Sequence, residues 1–155
     1  MNRLFLLLVA ALAAAPARAD LGANIYGVSY HFDRDRAKAL GVDSGFNPGL
    51  GVRWRKVDTS VDWFADVGFY RDSGRNTAKL AGVGGLWHAT ENFRAGGAIA
   101  LLHSDTYNGG RAFIAPLPVL AYELRPLTLN MVYLPKVHQV NDINTLGFWL
   151  TWWLR

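Results

Sequence analysis

Ser60 to Tyr70 reads SVDWFADVGFY, and its two faces differ. Val61, Trp63, Ala65, Val67 and Phe69 fall on one side, and Asp62, Phe64, Asp66, Gly68 and Tyr70 on the other. Successive side chains of a strand point to opposite faces, so the stretch predicts a strand with one apolar and one mixed face. A mixed face that carries carboxylates beside bulky apolar groups suits the lumen of a membrane barrel, with the apolar face turned to lipid.

The pattern recurs. Candidate strands are 22–33, 48–57, 60–71, 78–89, 93–103, 112–122, 127–134 and 144–154. The connections near 58–59, 90–92 and 123–126 are short, and those at 34–47, 72–77, 104–111 and 135–143 are longer and polar. Short turns alternating with long loops mark an outer-membrane barrel, with its short turns in the periplasm. Tyr26, Val28, Tyr30 and Phe32 in the first segment, and Leu146, Phe148, Leu150, Trp152 and Leu154 in the last, read as outward. In water they would form long apolar patches, which argues against a lipocalin-like barrel or a soluble β-sandwich. Trp54, Trp63, Trp87 and Trp152 fall where a periplasmic aromatic girdle belongs. Arg155 departs from the aromatic residue with which such barrels usually end. The expected fold is an eight-stranded antiparallel transmembrane β-barrel of the bacterial outer membrane.

Met1-Asn2-Arg3, the apolar run Leu4 to Ala15 and Ala17-Arg18-Ala19 read as a secretory signal, giving a signal peptide at 1–19 and one barrel domain at 20–155. The run is too short to span a bilayer as a helix, and no later stretch is long enough either. The absence of cysteine excludes disulfides and thiolate metal sites. The formal net charge of +4 is modest. It favours an anionic lipid or lipopolysaccharide surface over nucleic acid as the partner. No His/Asp/Glu grouping has metal-ligand spacing, and no cofactor is expected.

The lumen face carries a gradient. Arg53, Arg55, Asp62, Asp66, Arg94, Thr128 and Asn130 come low, toward the periplasm. Gly49, Gly51, Gly68, Tyr70, Ala98, Ala100, Leu102, Val132 and Leu134 come high. Eight strands enclose too little space for a water channel. The three arginines can pair with the two aspartates below, while the upper half is small or apolar enough for one acyl chain or for its own side chains. His31 shares the lumen parity with Gly27 and Ser29, and Asp72 and Ser73 follow the third strand at the same rim. A hydroxyl near an imidazole with a carboxylate at hand is the minimum for acyl transfer. His103 shares parity with Phe93 and Leu101 and reads as outward. Pro48, Pro116, Pro118 and Pro135 remove ladder donors, and near a rim such gaps read either as strand-end markers or as a side entrance for lipid.

These residues carry a resemblance. Tyr30-His31, Phe69-Tyr70-Arg71-Asp72-Ser73, Pro116-Leu117-Pro118-Val119-Leu120 and Asn130-Met131-Val132-Tyr133-Leu134-Pro135 resemble the lipid A palmitoyltransferase (PagP) family of outer-membrane acyltransferases. The resemblance covers most of the mature chain. It implies transfer of a palmitoyl-type chain from a glycerophospholipid to a hydroxyl of lipid A, without a cofactor. It implies His31, Asp72 and Ser73 as catalytic residues, Gly84 as the acyl-pocket floor, and Pro48, Pro118 and Pro135 as markers of lateral openings. On that basis His31 is expected as general base, Ser73 as the participating hydroxyl and Asp72 as an orienting or electrostatic partner. The chain would be a minimal, divergent member, without the family's N-terminal amphipathic helix and with Tyr26 where the family has proline. A lipid A acyl hydrolase and a non-catalytic lipid- or surface-binding barrel are the alternative readings.

Overall fold

A computed structural model describes residues 19–154; residues 1–18, all but the last residue of the expected signal peptide, and Arg155 lie outside the described residues. Eight antiparallel strands run in chain order: β1 (Ala19–His31), β2 (Phe46–Lys56), β3 (Val61–Arg71), β4 (Thr77–His88), β5 (Phe93–His103), β6 (Phe113–Leu124), β7 (Leu127–Leu134) and β8 (Thr145–Leu154). Each pairs with its neighbours and β8 pairs with β1, so the barrel is closed. Closure leaves no strand without a partner on either side, which is what backbone in a bilayer requires. No described helix is long and apolar enough to cross a membrane.

The exterior is apolar. Trp63, Val67, Phe69, Val83, Trp87, Ile99 and Leu101 are all exposed on the outward parity, and Trp152 and Leu154 stand beside the exposed Leu21 of β1. Lipid rather than water satisfies such a surface, and the chain is a transmembrane barrel of the outer membrane. The long loops all lie at one end. The first contains a helix, α1 (Arg34–Ala39), capped by the Asp33 carboxylate accepting from the Arg36 backbone N–H at 2.9 Å, where the sequence reads only as loop.

One outward assignment is corrected. Tyr26 points into the lumen, tilted against Tyr70 with ring centroids 5.4 Å apart and against Trp149 at 6.2 Å. The register of β1 with both β2 and β8 shifts between Tyr26 and Val28. This bulge at Gly27 flips the parity once. Val28 and Tyr30 therefore still face out, and Ser29 and His31 still face in.

The lower lumen is filled with charge, and every charge is answered. Arg53 grips Asp66 with two bonds, Nε to Oδ1 at 2.8 Å and Nη2 to Oδ2 at 2.6 Å. Its Nη1 donates to Asn130 Oδ1 at 2.9 Å. Asn130 Nδ2 donates to Thr151 Oγ1 (3.0 Å), Thr151 to Asn24 Oδ1 (2.7 Å), and Asn24 Nδ2 back to Asp66 (3.2 Å). This closed ring crosses five strands. Beneath it, Asp62 accepts from Arg94 Nε at 2.8 Å and pairs with His88 Nε2 at 2.9 Å. Glu123 sits between Arg55 and Arg94, the latter at 3.1 Å. Three arginines thus face three carboxylates, where alternation in the sequence marks only Asp62 and Asp66. Among these charges packs an apolar cluster of Phe64, Leu86, Val119 and Ala121, with Trp149 against it.

Candidate active site

β1 ends on His31, and the register of the barrel delivers that end beside the turn that follows β3. The His31 imidazole Nε2 lies 3.0 Å from Ser73 Oγ, and both residues are buried. Ser29 Oγ is 3.3 Å from the same oxygen. Asn47 Nδ2 donates to the Arg71 carbonyl at 3.1 Å and stands 3.5 Å from Ser73 Oγ, while its Oδ1 is buried without a partner. An unpaired buried acceptor is costly. Here it lines the cavity beside the serine.

Asp72 is fully buried but turned another way. Its Oδ1 accepts from the backbone N–H groups of Gly74 (3.0 Å) and Asn76 (2.9 Å), and its Oδ2 accepts from Ser104 Oγ. The turn is wound around this carboxylate, with Arg75 in the left-handed region at φ 67°. None of the hydrogen bonds of Asp72 or His31 joins the two. Asp72 fixes where Ser73 stands, and its charge remains nearby. Tyr107, in the loop between β5 and β6, closes over the site; burial, then the Asp72 charge, pushes its phenol up to about 12, so it stays protonated.

Ser73, with Ser29 and Asn47, lines a cavity of about 130 Å³ whose walls include Gly82, Ala98, Ala100, Leu102 and Leu134, and His31 stands behind the serine. Its size is on the order of the ~150 Å³ apolar cavity that accepts a benzene ring. A longer chain therefore needs a side chain to move or a way out through the wall. The floor is Phe64 with Arg53 and Trp149. Gly84 stands on the lumen face behind that floor: a Cβ there would lie 2.5 Å from Phe64 Cζ and 2.4 Å from the Gly97 carbonyl oxygen.

The prolines are not equivalent. The β6–β7 ladder stops at Val119↔Val132, although β6 runs on to Phe113 and β7 to Leu134. Pro116, Pro118 and Pro135 flank this unzipped stretch. A second cavity of about 230 Å³ there touches lumenal Tyr70 and Tyr107 and outward-facing Ile114 and Pro116. Pro48 sits in a wall that stays paired, with Tyr26↔Gly49 and Val28↔Phe46 on either side and Ser29 N–H donating to Gly45 O at 2.9 Å.

Sequence reasoning missed Asn47, Ser104, Tyr107 and Glu123. No grouping of three or more metal-ligating side chains occurs among the described residues. No family model matches the chain. No curated protein matches it either. Among solved structures it is similar to the crystal structure of Neisserial surface protein A, with 14% identity over 88% of this chain and 95% of that chain and a TM-score of 0.44, a likeness too distant to bear on the site.

Proposed function

We propose that this barrel is an acyltransferase that carries a palmitoyl-type chain from a glycerophospholipid to a hydroxyl of lipid A. The observation that carries the reading is the buried His31–Ser73 pair, 3.0 Å apart, whose serine lines an apolar cavity inside a membrane barrel. His31 Nε2 takes the proton of the attacking hydroxyl as the new ester bond forms, and returns it to the glycerol oxygen as the old ester bond breaks. That hydroxyl is Ser73's own if the acyl group stops on the enzyme, and the acceptor's if it does not. Asn47 Nδ2 and Ser29 Oγ are donors beside Ser73 for the charge that develops on the carbonyl oxygen. The unzipped wall between β6 and β7 gives a membrane lipid a side approach to the cavity.

The test is transfer of a labelled acyl chain from phospholipid to lipid A in mixed micelles. Wild type should produce acylated lipid A, and His31→Ala and Ser73→Ala should each lose ~100-fold or more. Near-wild-type activity in both would overturn the assignment, and free fatty acid as the sole product would identify a hydrolase. The engagement of Asp72 with its own turn, leaving His31 without a carboxylate partner, favours a second reading, a barrel that binds lipid without reacting. That reading predicts phospholipid binding with neither product.

A further inference from the structure

Three polar side chains on the lipid-facing surface do not belong there by the logic of the rest of the exterior. Arg71, Lys79 and His103 are exposed and share the outward parity of β3, β4 and β5. Lys79 is directly opposite His103 and also opposite Phe69, which places Arg71 one step up the diagonal. Directly opposed residues are about 5 Å apart and diagonal ones roughly 7–8 Å, so the three form one patch. None is ion-paired among the described residues. Arg75, in the loop above, faces Asp43 at 3.4 Å, and Asp105, beyond His103, turns its carboxylate toward Gly110. Below the patch the same three strands present an unbroken apolar strip that includes Val67, Leu101, Val83 and Ile99, all exposed.

Two unpaired cations and an imidazole with no anion to answer them, set at the edge of a membrane belt, are an unfinished electrostatic arrangement. We infer that Arg71, Lys79 and His103 bind the phosphate of a phosphorylated glycolipid in the outer leaflet, whose acyl chains lie on the strip below. The patch lies at the long-loop end of the barrel, where the outer leaflet carries lipopolysaccharide. The bed beneath it is three strands wide, which suits a multi-chain glycolipid better than a two-chain phospholipid. Arg71 is two residues from Ser73, so a lipid held there by its phosphate has its headgroup beside the rim that carries the candidate active site. The binding inference stands apart from the transfer reading; only this last consequence rests on it.

The experiment measures retention of bisphosphorylated lipid A by the full barrel in detergent, by native mass spectrometry and by titration. Each cation near an anionic surface contributes about fivefold in affinity, so Arg71→Gln and Lys79→Gln should each raise Kd about fivefold, and the triple variant with His103→Gln still more. Higher salt should weaken wild type and leave the triple variant nearly unchanged. Dephosphorylated lipid A should bind wild type no better than the triple variant binds the phosphorylated form. Lys56→Gln, an outward cation at the opposite end, should bind as wild type does. Equal retention of phosphorylated and dephosphorylated lipid by wild type would overturn the site. So would phosphatidylglycerol binding as tightly as lipid A, or unchanged affinity in a triple variant that still shifts on heating in a gel. Because the readout is binding, its failure would leave the His31–Ser73 transfer test untouched, and the converse also holds.

Discussion

The two halves of the lumen solve opposite problems. The lower half is a solid plug, in which three arginines, three carboxylates and an amide–hydroxyl ring pair with one another. The upper half is hollow, lined by glycine, alanine and leucine, with its polar groups gathered at the rim. A buried charge network is over-determined, because removing one member strands another. A hollow apolar wall is under-determined, because it has room to admit a guest. The lower half therefore fixes the shape of the barrel, and the upper half is left free for a ligand.

Substitutions should separate the halves. The largest effect belongs below. Arg53→Ala strands Asp66 and Asn130 and should cost about 3–5 kcal/mol of stability, read from urea-dependent unfolding in vesicles. Replacing Arg53 and Asp66 together with apolar residues of similar size should recover most of that loss. A small effect of the single change would mean the plug does not set the fold. Above, His31→Ala and Ser73→Ala should leave stability within about 1 kcal/mol, while transfer falls ~100-fold or more. Loss of folding in both would erase the contrast between the halves.

Asp72 lies between these cases. Asp72→Ala unravels the turn that seats Ser73 and leaves two backbone N–H groups and Ser104 without their acceptor, a cost of about 1–3 kcal/mol. Activity should fall with it, and Asp72→Asn, which keeps one carbonyl oxygen for those N–H groups, should recover more stability than activity if the charge also matters. Equal recovery of both would assign Asp72 a positional role alone. The smallest effect concerns the boundary. Gly84→Ala pushes on Phe64 from behind and on the Gly97 carbonyl of β5, and in a variant that still folds it should raise the floor of the cavity. Each methylene contributes roughly 0.8 kcal/mol, so displacing two shifts preference toward a shorter chain by on the order of tenfold. Donor competition between phospholipids of different chain length reads this directly, and an active variant with unchanged preference would place the acyl chain elsewhere.

Alternation carried most of this fold into plain view. In β3 every residue from Val61 to Tyr70 lies on the face its parity assigns, because a barrel wall has only two sides. The exceptions share a cause, which is that parity is lost wherever the count of residues is interrupted. Tyr26 was misassigned because a bulge leaves no mark in composition beyond the glycine that follows it. Glu123 escapes a sequence reading that ends the sixth strand at Tyr122, two residues short of Leu124. Asn47 was missed because Pro48 reads naturally as a first strand residue, which hid the lumenal position before it. At the site, His31 and Ser73 were legible as neighbours on one rim, but the direction of Asp72 was not. Carboxylate orientation depends on the turn it caps and on Ser104 from a distant strand end, neither of which leaves a periodic signal.

The central claim is that the hollow upper half serves the His31–Ser73 pair as an acyl-transfer chamber. Mass spectrometry of lipid A from cells with the protein, without it, and with the folded His31→Ala variant tests this most directly. Lipid A should be heavier by one acyl chain with the wild-type protein only. Lipid A lighter by one chain, or identical in all three, would contradict the claim.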